Sequence, residues 1–218
     1  HSVRTLQECL QLAADDITIA TNLLESRTLA GNRQLRTEMR SEIDARNIWP
    51  SREFFYAKWN EQKERHTKHN NTEYNLEPNI KNAPGGLRDI QTIMWIAKRH
   101  FNVEKVSDLV RVGFLTENEF NIMRNGEEFL WRVRYGLHLL AGRHEKRLSF
   151  DYQLTLAAEF GYQDTDKSLA VEQFMKRYYR AVSALRELND VLLNFLDESL
   201  SDDDNIAEII DINRRFRT

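Results

Sequence analysis

Glycine and proline are scarce in this chain, which has 218 residues but only eight glycines and three prolines. Because these two residue types interrupt helices most strongly, their scarcity predicts long uninterrupted helices. Two of the glycines and one of the prolines are adjacent, at Pro84, Gly85 and Gly86. We therefore expect an all-α protein with one pronounced break at this point.

The second half of the chain shows the clearest helical periodicity. Thr116 and Glu119 fit a capping box, and Gly142 is a suitable C-terminal stop. Gly126 falls on the apolar stripe between them, which predicts the close approach of a neighbouring helix. A longer helix is expected at about residues 168–196, where apolar residues recur at steps of four and three. Both patterns indicate an antiparallel helix bundle in the C-terminal half.

Composition excludes several classes of protein. The single cysteine, Cys9, rules out an internal disulfide and a cysteine-rich metal site. A net charge of −3 argues against a dedicated nucleic-acid binder. No apolar run approaches membrane-spanning length, and no signal peptide opens the chain. We expect a cytoplasmic protein without nucleic-acid or membrane partners, and since it starts at His1 we expect it to be part of a longer protein.

The break at residues 84–86 is also the best candidate binding site. Glycine permits backbone conformations closed to other residues, and a turn that feeds a helix start can point its amides at an anion. Positive side chains flank the turn on both sides. The candidate phosphate or carboxylate clamp comprises Lys81, Gly85, Gly86, Arg88 and Asp89. The alternative is an ordinary turn with solvated cations and an acid in the first helical turn, and the residues alone leave both interpretations open.

Other polar clusters have simpler explanations. His66 and His69 lie in a polar stretch with no third ligand nearby, so a solvated helix end is favoured over a metal site. The basic run at residues 143–147 complements a helix C-terminus, although a polyphosphate contact is a second interpretation. The acidic run at residues 202–204 suits a solvated linker. No Asp-x-Asp pair follows a glycine turn, and no His-Asp doublet occurs, so we expect no catalytic residue and no metal ligand in this chain.

Residues 77–91 (EPNIKNAPGGLRDIQ) resemble the signature of the bifunctional PII uridylyltransferase/uridylyl-removing enzymes. A related motif occurs in the adenylyltransferase that modifies glutamine synthetase. Further segments resemble the same enzymes at residues 1–5, 21–27, 142–153, 174–180 and 212–216. Asn82 and Ala83 depart from the pattern, since Glu-Gly is commoner there.

The resemblance implies a bacterial nitrogen-signalling enzyme that uses UTP and Mg²⁺ to uridylylate a tyrosine of the PII protein, with glutamine as effector. Residues 1–48 would be the edge of the nucleotidyltransferase domain, and residues 49–87 a connecting helix and loop. Residues 88–200 would be a helical-bundle substrate-binding domain, and residues 201–218 a linker toward an HD domain. Because the metal-binding core and the glutamine-sensing domains lie outside these segments, we expect this chain alone to be inactive and to bind no cofactor.

Two functional hypotheses follow from the resemblance. In the first, the turn binds the triphosphate of UTP or positions the PII loop. Lys81 and Arg88 would then neutralise phosphate, Gly85 and Gly86 would allow close backbone approach, and Asp89 would orient Arg88. In the second, the chain is a non-catalytic docking and spacer module that binds PII and sets the distance between catalytic domains. A weaker alternative is that the turn serves folding alone.

Overall fold

The structure, a computed structural model, describes residues 3–44, 48–103 and 105–202. This described part is all-α, as predicted, and contains no strand, only two isolated β-bridges. Its helices are α1 (Leu6–Asp15), α2 (Ile17–Leu24), α3 (Arg33–Glu42), α4 (Ser51–Thr67), α5 (Leu87–Phe101), α6 (Asp108–Arg111), α7 (Glu117–Ala141), α8 (Phe150–Glu159) and α9 (Ala170–Asp202). None of these helices has the length and apolar character needed to cross a membrane.

The long helix α9 is the centre of the C-terminal half, where it packs against α5, α7 and α8. Gly126 of α7 faces Leu185 of α9. About one turn later in α7, the ring centre of Phe129 lies 6.4 Å from that of Phe174, which comes before Leu185 in α9. Since the contacts run in opposite directions along the two helices, the pair is antiparallel, which confirms the predicted bundle. The core between these helices includes Ile93, Ile96, Leu130, Val133, Leu137, Tyr178, Val182 and Leu192.

The ends of α7 lie where local sequence signals place them. The backbone N–H of Glu119 donates to the Thr116 hydroxyl at 3.3 Å, and the Glu119 carboxylate accepts from the backbone N–H of Thr116 at 2.8 Å. At the other end, Gly142 has a φ of +61°. The capping box and the glycine stop are therefore both confirmed.

Gly126 allows the close approach that the sequence predicted. A Cβ placed on Gly126 would lie 2.8 Å from Cδ1 of Leu185 on α9, which is inside ordinary van der Waals contact. The loss of helix propensity at this glycine is thus compensated by tighter packing between α7 and α9.

Three groups of hydrogen bonds connect α1–α3 to the rest of the described chain. The Trp49 indole donates to the Ala13 carbonyl at 2.8 Å, and the Trp95 indole donates to the Glu25 carboxylate at 2.7 Å. The buried Arg99 guanidinium donates to the Ile43 and Trp49 carbonyls, and its burial lowers its pKa to about 10. These bonds bring α2 beside α5, where the candidate site lies.

At the C-terminal end of the described chain, Ser201 and Asp202 complete α9. The rest of the predicted linker, residues 203–218, lies outside the described residues.

Candidate functional site

The glycine turn packs against α9. Gly85 has a φ of +72°, and a Cβ there would overlap the backbone carbonyl of Val182. A Cβ on Gly86 would lie 2.8 Å from the carbonyl oxygens of Ile80 and Ala83. Both glycines are buried, so they permit close contact within the protein.

Every backbone N–H from Gly85 to Asp89 donates to an acceptor in the chain. Gly85 donates to the Asp89 carboxylate at 2.8 Å, Gly86 to the Ala83 carbonyl at 2.9 Å, and Leu87 to the Ile80 carbonyl at 3.1 Å. The Arg88 and Asp89 amides donate to the carbonyls of Lys81 and Gly86. The structure therefore does not support the predicted anion contact through the amides of Gly85 and Gly86, because these donors are already used in closing the turn.

Asp89 is fully buried and binds partners other than Arg88. Its carboxylate accepts from Arg65 Nη2 at 2.5 Å, and both of its oxygens lie 2.9 Å from His66 Nε2. With the Gly85 amide, these contacts connect the C-terminal end of α4 to the turn and to the start of α5. The prediction that Asp89 orients Arg88 is thus wrong, and so is the prediction that His66 belongs to a solvated helix end.

Lys81 and Arg88 lie together on a cleft of about 230 Å³ that Arg134 of α7 also lines. The Arg88 guanidinium lies 5.2 Å from the Trp95 ring centre. Within the described part of the chain, no ion pair with a carboxylate is formed by Lys81, Arg88 or Arg134. The remaining lining residues are Asn22, Glu25, Leu87, Gln91, Trp95 and Trp131.

The environment of these cations disfavours their positive charge. Burial lowers the pKa of Lys81, and the neighbouring Arg88, Arg134 and Lys146 lower it further by repulsion. Burial also lowers the pKa of Arg88, and Arg65 adds repulsion that Glu61 and Glu25 partly oppose. The pKa of Arg134 is lowered by burial as well. An anion placed among these groups would relieve that repulsion.

A second compartment of about 420 Å³ adjoins the first, and the two share Asn22, Arg88 and Trp95. Its basic lining residues are Arg65, Lys68 and His69, and its acidic ones are Glu61 and Glu64. Burial, with Arg65 and His66 nearby, lowers the pKa of His69. We call the two compartments together the cationic cleft.

The sequence singled out Lys81 and Arg88 but not Arg134 and Arg65, which line the same cleft. Arg134 lies on α7, far from the turn in sequence, and nothing local distinguishes it from its neighbour Arg132. Arg65 lies in the polar stretch for which the sequence predicts a solvated helix end.

A larger cavity of about 490 Å³ lies beside Arg4, Cys9 and Arg36, away from every predicted site residue.

The resemblance implies Mg²⁺ as a cofactor of the whole enzyme. Among the described residues, no group of three or more His, Cys, Asp or Glu side chains could hold a metal ion.

Comparisons with known proteins agree with the sequence resemblance. The family model for GlnD PII-uridylyltransferase matches residues 53–193. The chain is 50% identical over 217 residues to the bifunctional uridylyltransferase/uridylyl-removing enzymes of Stutzerimonas stutzeri strain A1501 and Pseudomonas aeruginosa strain PAO1. It is 49% identical over 217 residues to that of Azotobacter vinelandii strain DJ.

These matches cover all of the chain but only 24% of the length of each relative. No solved structure matches the chain. The family model, which covers well over half of the chain, and the identities of about one half agree with each other. The chain belongs to the PII-uridylyltransferase family.

Proposed function

We propose that this chain is part of the uridylyltransferase region of an enzyme that transfers UMP from UTP to a tyrosine of the PII protein. In this proposal, the cationic cleft binds the phosphates of UTP. The observation that carries it is the convergence of Lys81, Arg88 and Arg134 on one cleft without a carboxylate partner in the described chain.

The chemistry of nucleotidyl transfer requires such a site. Negative charge builds on the phosphates as pyrophosphate leaves, and fixed cations in a partly desolvated cleft stabilise that charge. Arginine is well suited to this role because its guanidinium can donate two parallel hydrogen bonds to a phosphate. The lowered pKa values of the three cations support the proposal, since displaced pKa values are typical of functional sites.

Asp89 would support the site without contacting the nucleotide. Its carboxylate fixes Arg65, which lines the second compartment, and the Gly85 amide, which closes the turn between Lys81 and Arg88. In the proposal Asp89 is thus a positioning residue.

The remaining parts of the reaction would come from outside this chain. In this proposal, the Mg²⁺ ligands, the uridylyl-removing activity and the response to glutamine belong to the part of the enzyme beyond the 24% of the relatives' length that the chain matches. We accordingly propose that the chain alone is inactive and that the complete enzyme acts in the cytoplasm.

Titration calorimetry of the complete enzyme with UTP tests the cleft. Arg88→Gln should weaken UTP binding by at least about tenfold, because a desolvated hydrogen bond to a charged group is worth ~1.5–3 kcal/mol. Arg132→Gln is the matched control, since Arg132 lies 5.2 Å from the Phe160 ring centre but does not line the cleft. Equal loss in both variants, or no loss in either, would remove the phosphate-binding assignment.

A second candidate function is the docking and spacer module. It is favoured by a row of exposed apolar side chains on α7, which a protein partner could cover. Capture of PII by the chain, together with an unchanged UTP affinity of the complete enzyme when Arg88 is replaced by Gln, would support this function instead of the first.

A further inference from the structure

Helix α7 carries a row of exposed apolar side chains, the α7 stripe, formed by Trp131, Tyr135 and Leu139. Their exposed fractions are 44%, 67% and 65%. Because the spacing is four residues, all three lie on one face of the helix. Large apolar side chains that are exposed together on one face commonly mark an interaction site.

The core does not need the α7 stripe. The opposite face of the same helix is fully buried through Leu130, Val133 and Leu137. Helix α7 is thus apolar on two faces, and only one of them packs against α5, α8 and α9.

The α7 stripe is continuous with the cationic cleft. Trp131 lines the smaller compartment, and so does Arg134, whose guanidinium lies 5.4 Å from the Trp131 ring centre. A segment that covers Tyr135 and Leu139 could therefore extend into the cleft without leaving the surface of α7.

The surroundings of the stripe are basic on the C-terminal side of Trp131, whereas at its N-terminal end the Trp131 indole donates to the Glu127 carboxylate at 3.4 Å. Residues 131–147 contain five cations, Arg132, Arg134, Arg143, Lys146 and Arg147, and a single acid, Glu145. Arg143 pairs with Glu145 at 2.8 Å, and Arg147 pairs with Glu77. The other three cations have no carboxylate partner in the described chain. This surface is therefore complementary to an acidic partner.

The basic run at residues 143–147 is held in place beside the turn. The Ile80 N–H donates to the Lys146 carbonyl at 3.0 Å, and the Leu148 N–H donates to the Pro78 carbonyl at 2.9 Å. Lys146 is close enough to Lys81 to lower its pKa by repulsion. The run therefore extends the positive surface of the cleft toward the end of α7.

We infer that the α7 stripe and its basic margin are the docking site for an acidic segment of the protein substrate that also carries apolar side chains. The inference rests on the proposed function, because the substrate must bring its acceptor hydroxyl to the nucleotide in the adjoining cleft. Apolar contact would provide the affinity, and Arg132 and Lys146 would select the acidic segment and orient it.

Binding of purified PII to the chain, measured by titration calorimetry, tests the inference. Tyr135→Asp and Leu139→Asp should each weaken PII binding by at least about tenfold, as for central contacts of an interface. Leu139→Lys should fall between the wild type and Leu139→Asp, because it removes the apolar contact without repelling an acidic partner. Val191→Asp on α9 is the matched control, with an exposed fraction of 51%, and should leave PII affinity unchanged.

The same variants separate this inference from the proposed function. In the complete enzyme, all of them should bind UTP as the wild type does, whereas Arg88→Gln should weaken UTP binding by at least about tenfold. The docking inference is overturned if PII affinity is unchanged in the stripe variants, or if the wild-type chain binds no PII. It is also overturned if the stripe variants instead dissociate a dimer of this chain, since a second copy would then be the partner.

Discussion

At the scale of one residue, Lys81 carries a positive charge that its surroundings in the fold disfavour. Its pKa is lowered from the ordinary 10.5 by burial and by three neighbouring cations. In the window between the lowered pKa and the ordinary one, the unfolded chain binds more protons, so this group makes stability rise with pH. The charge is therefore unfavourable in the free protein, and an anion bound beside it, as we propose for UTP, would offset that cost.

Replacing Lys81 by methionine should therefore separate stability from binding. We expect Lys81→Met to melt at the same temperature as the wild type or higher, and to bind UTP more weakly. Thermal unfolding and calorimetry measure the two effects, with the exposed Lys105→Met as control. A lower melting temperature with unchanged UTP affinity would show that Lys81 has a structural role.

The pH dependence of UTP binding should reflect the same lysine. Because an anion binds the protonated form, affinity should fall as pH rises through the lowered pKa of Lys81, below the ordinary value of 10.5. Calorimetry across alkaline pH should show this fall in the wild type and not in Lys81→Met. An identical decline in both proteins would assign the titration to another group.

Asp89 is expected to dominate stability near the cleft. Asp89→Ala leaves Arg65 and His66 without their buried acceptor, and removing one partner of a buried pair destabilises by about 3–5 kcal/mol. Asp108→Ala breaks a surface pair with Arg111 at 3.8 Å, for which about 0–1 kcal/mol is expected. Urea unfolding of both variants measures the difference, and equal effects would contradict the structural role of Asp89.

At the scale of the element, the glycine turn is a packing device between α5 and α9. Gly85 and Gly142 both have positive φ, but only Gly85 faces the backbone of another helix. Alanine should cost about 1–2 kcal/mol at either position through backbone strain. At Gly85 it should cost about 1–3 kcal/mol more, because the Val182 carbonyl must move. Urea unfolding of Gly85→Ala and Gly142→Ala tests this. Equal destabilisation would contradict the prediction, because the Val182 carbonyl of α9 would then have moved away from the new methyl group at no cost in free energy.

Elements with local signals could be predicted from the sequence, whereas contacts across the chain could not. The ends of α7 follow from Thr116, Glu119 and Gly142, which act within a few residues. By contrast, Gly85 contacts Val182 and Asp89 contacts Arg65, and no local pattern encodes either pair. The glycine turn consequently looked like an anion site in the sequence, although its amides serve the fold.

At the scale of the whole molecule, the cleft depends on parts that are distant in the sequence. Asn22 and Glu25 come from the region of α2, Lys81 and Arg88 from the turn and α5, and Arg134 from α7. Scarce glycine and proline predicted the helical class, and the resemblance predicted the family. No pattern in the sequence predicts that Arg134 lines the cleft with Lys81 and Arg88, because its position depends on how α7 packs against α5.

The central claim is that Lys81, Arg88 and Arg134 bind the phosphates of one nucleotide. A crystal structure of the complete enzyme with a non-hydrolysable UTP analogue tests it most directly. We predict that the phosphates lie within hydrogen-bonding distance of all three side chains. An analogue bound instead in the larger cavity beside Cys9, with the cationic cleft empty, would contradict the claim.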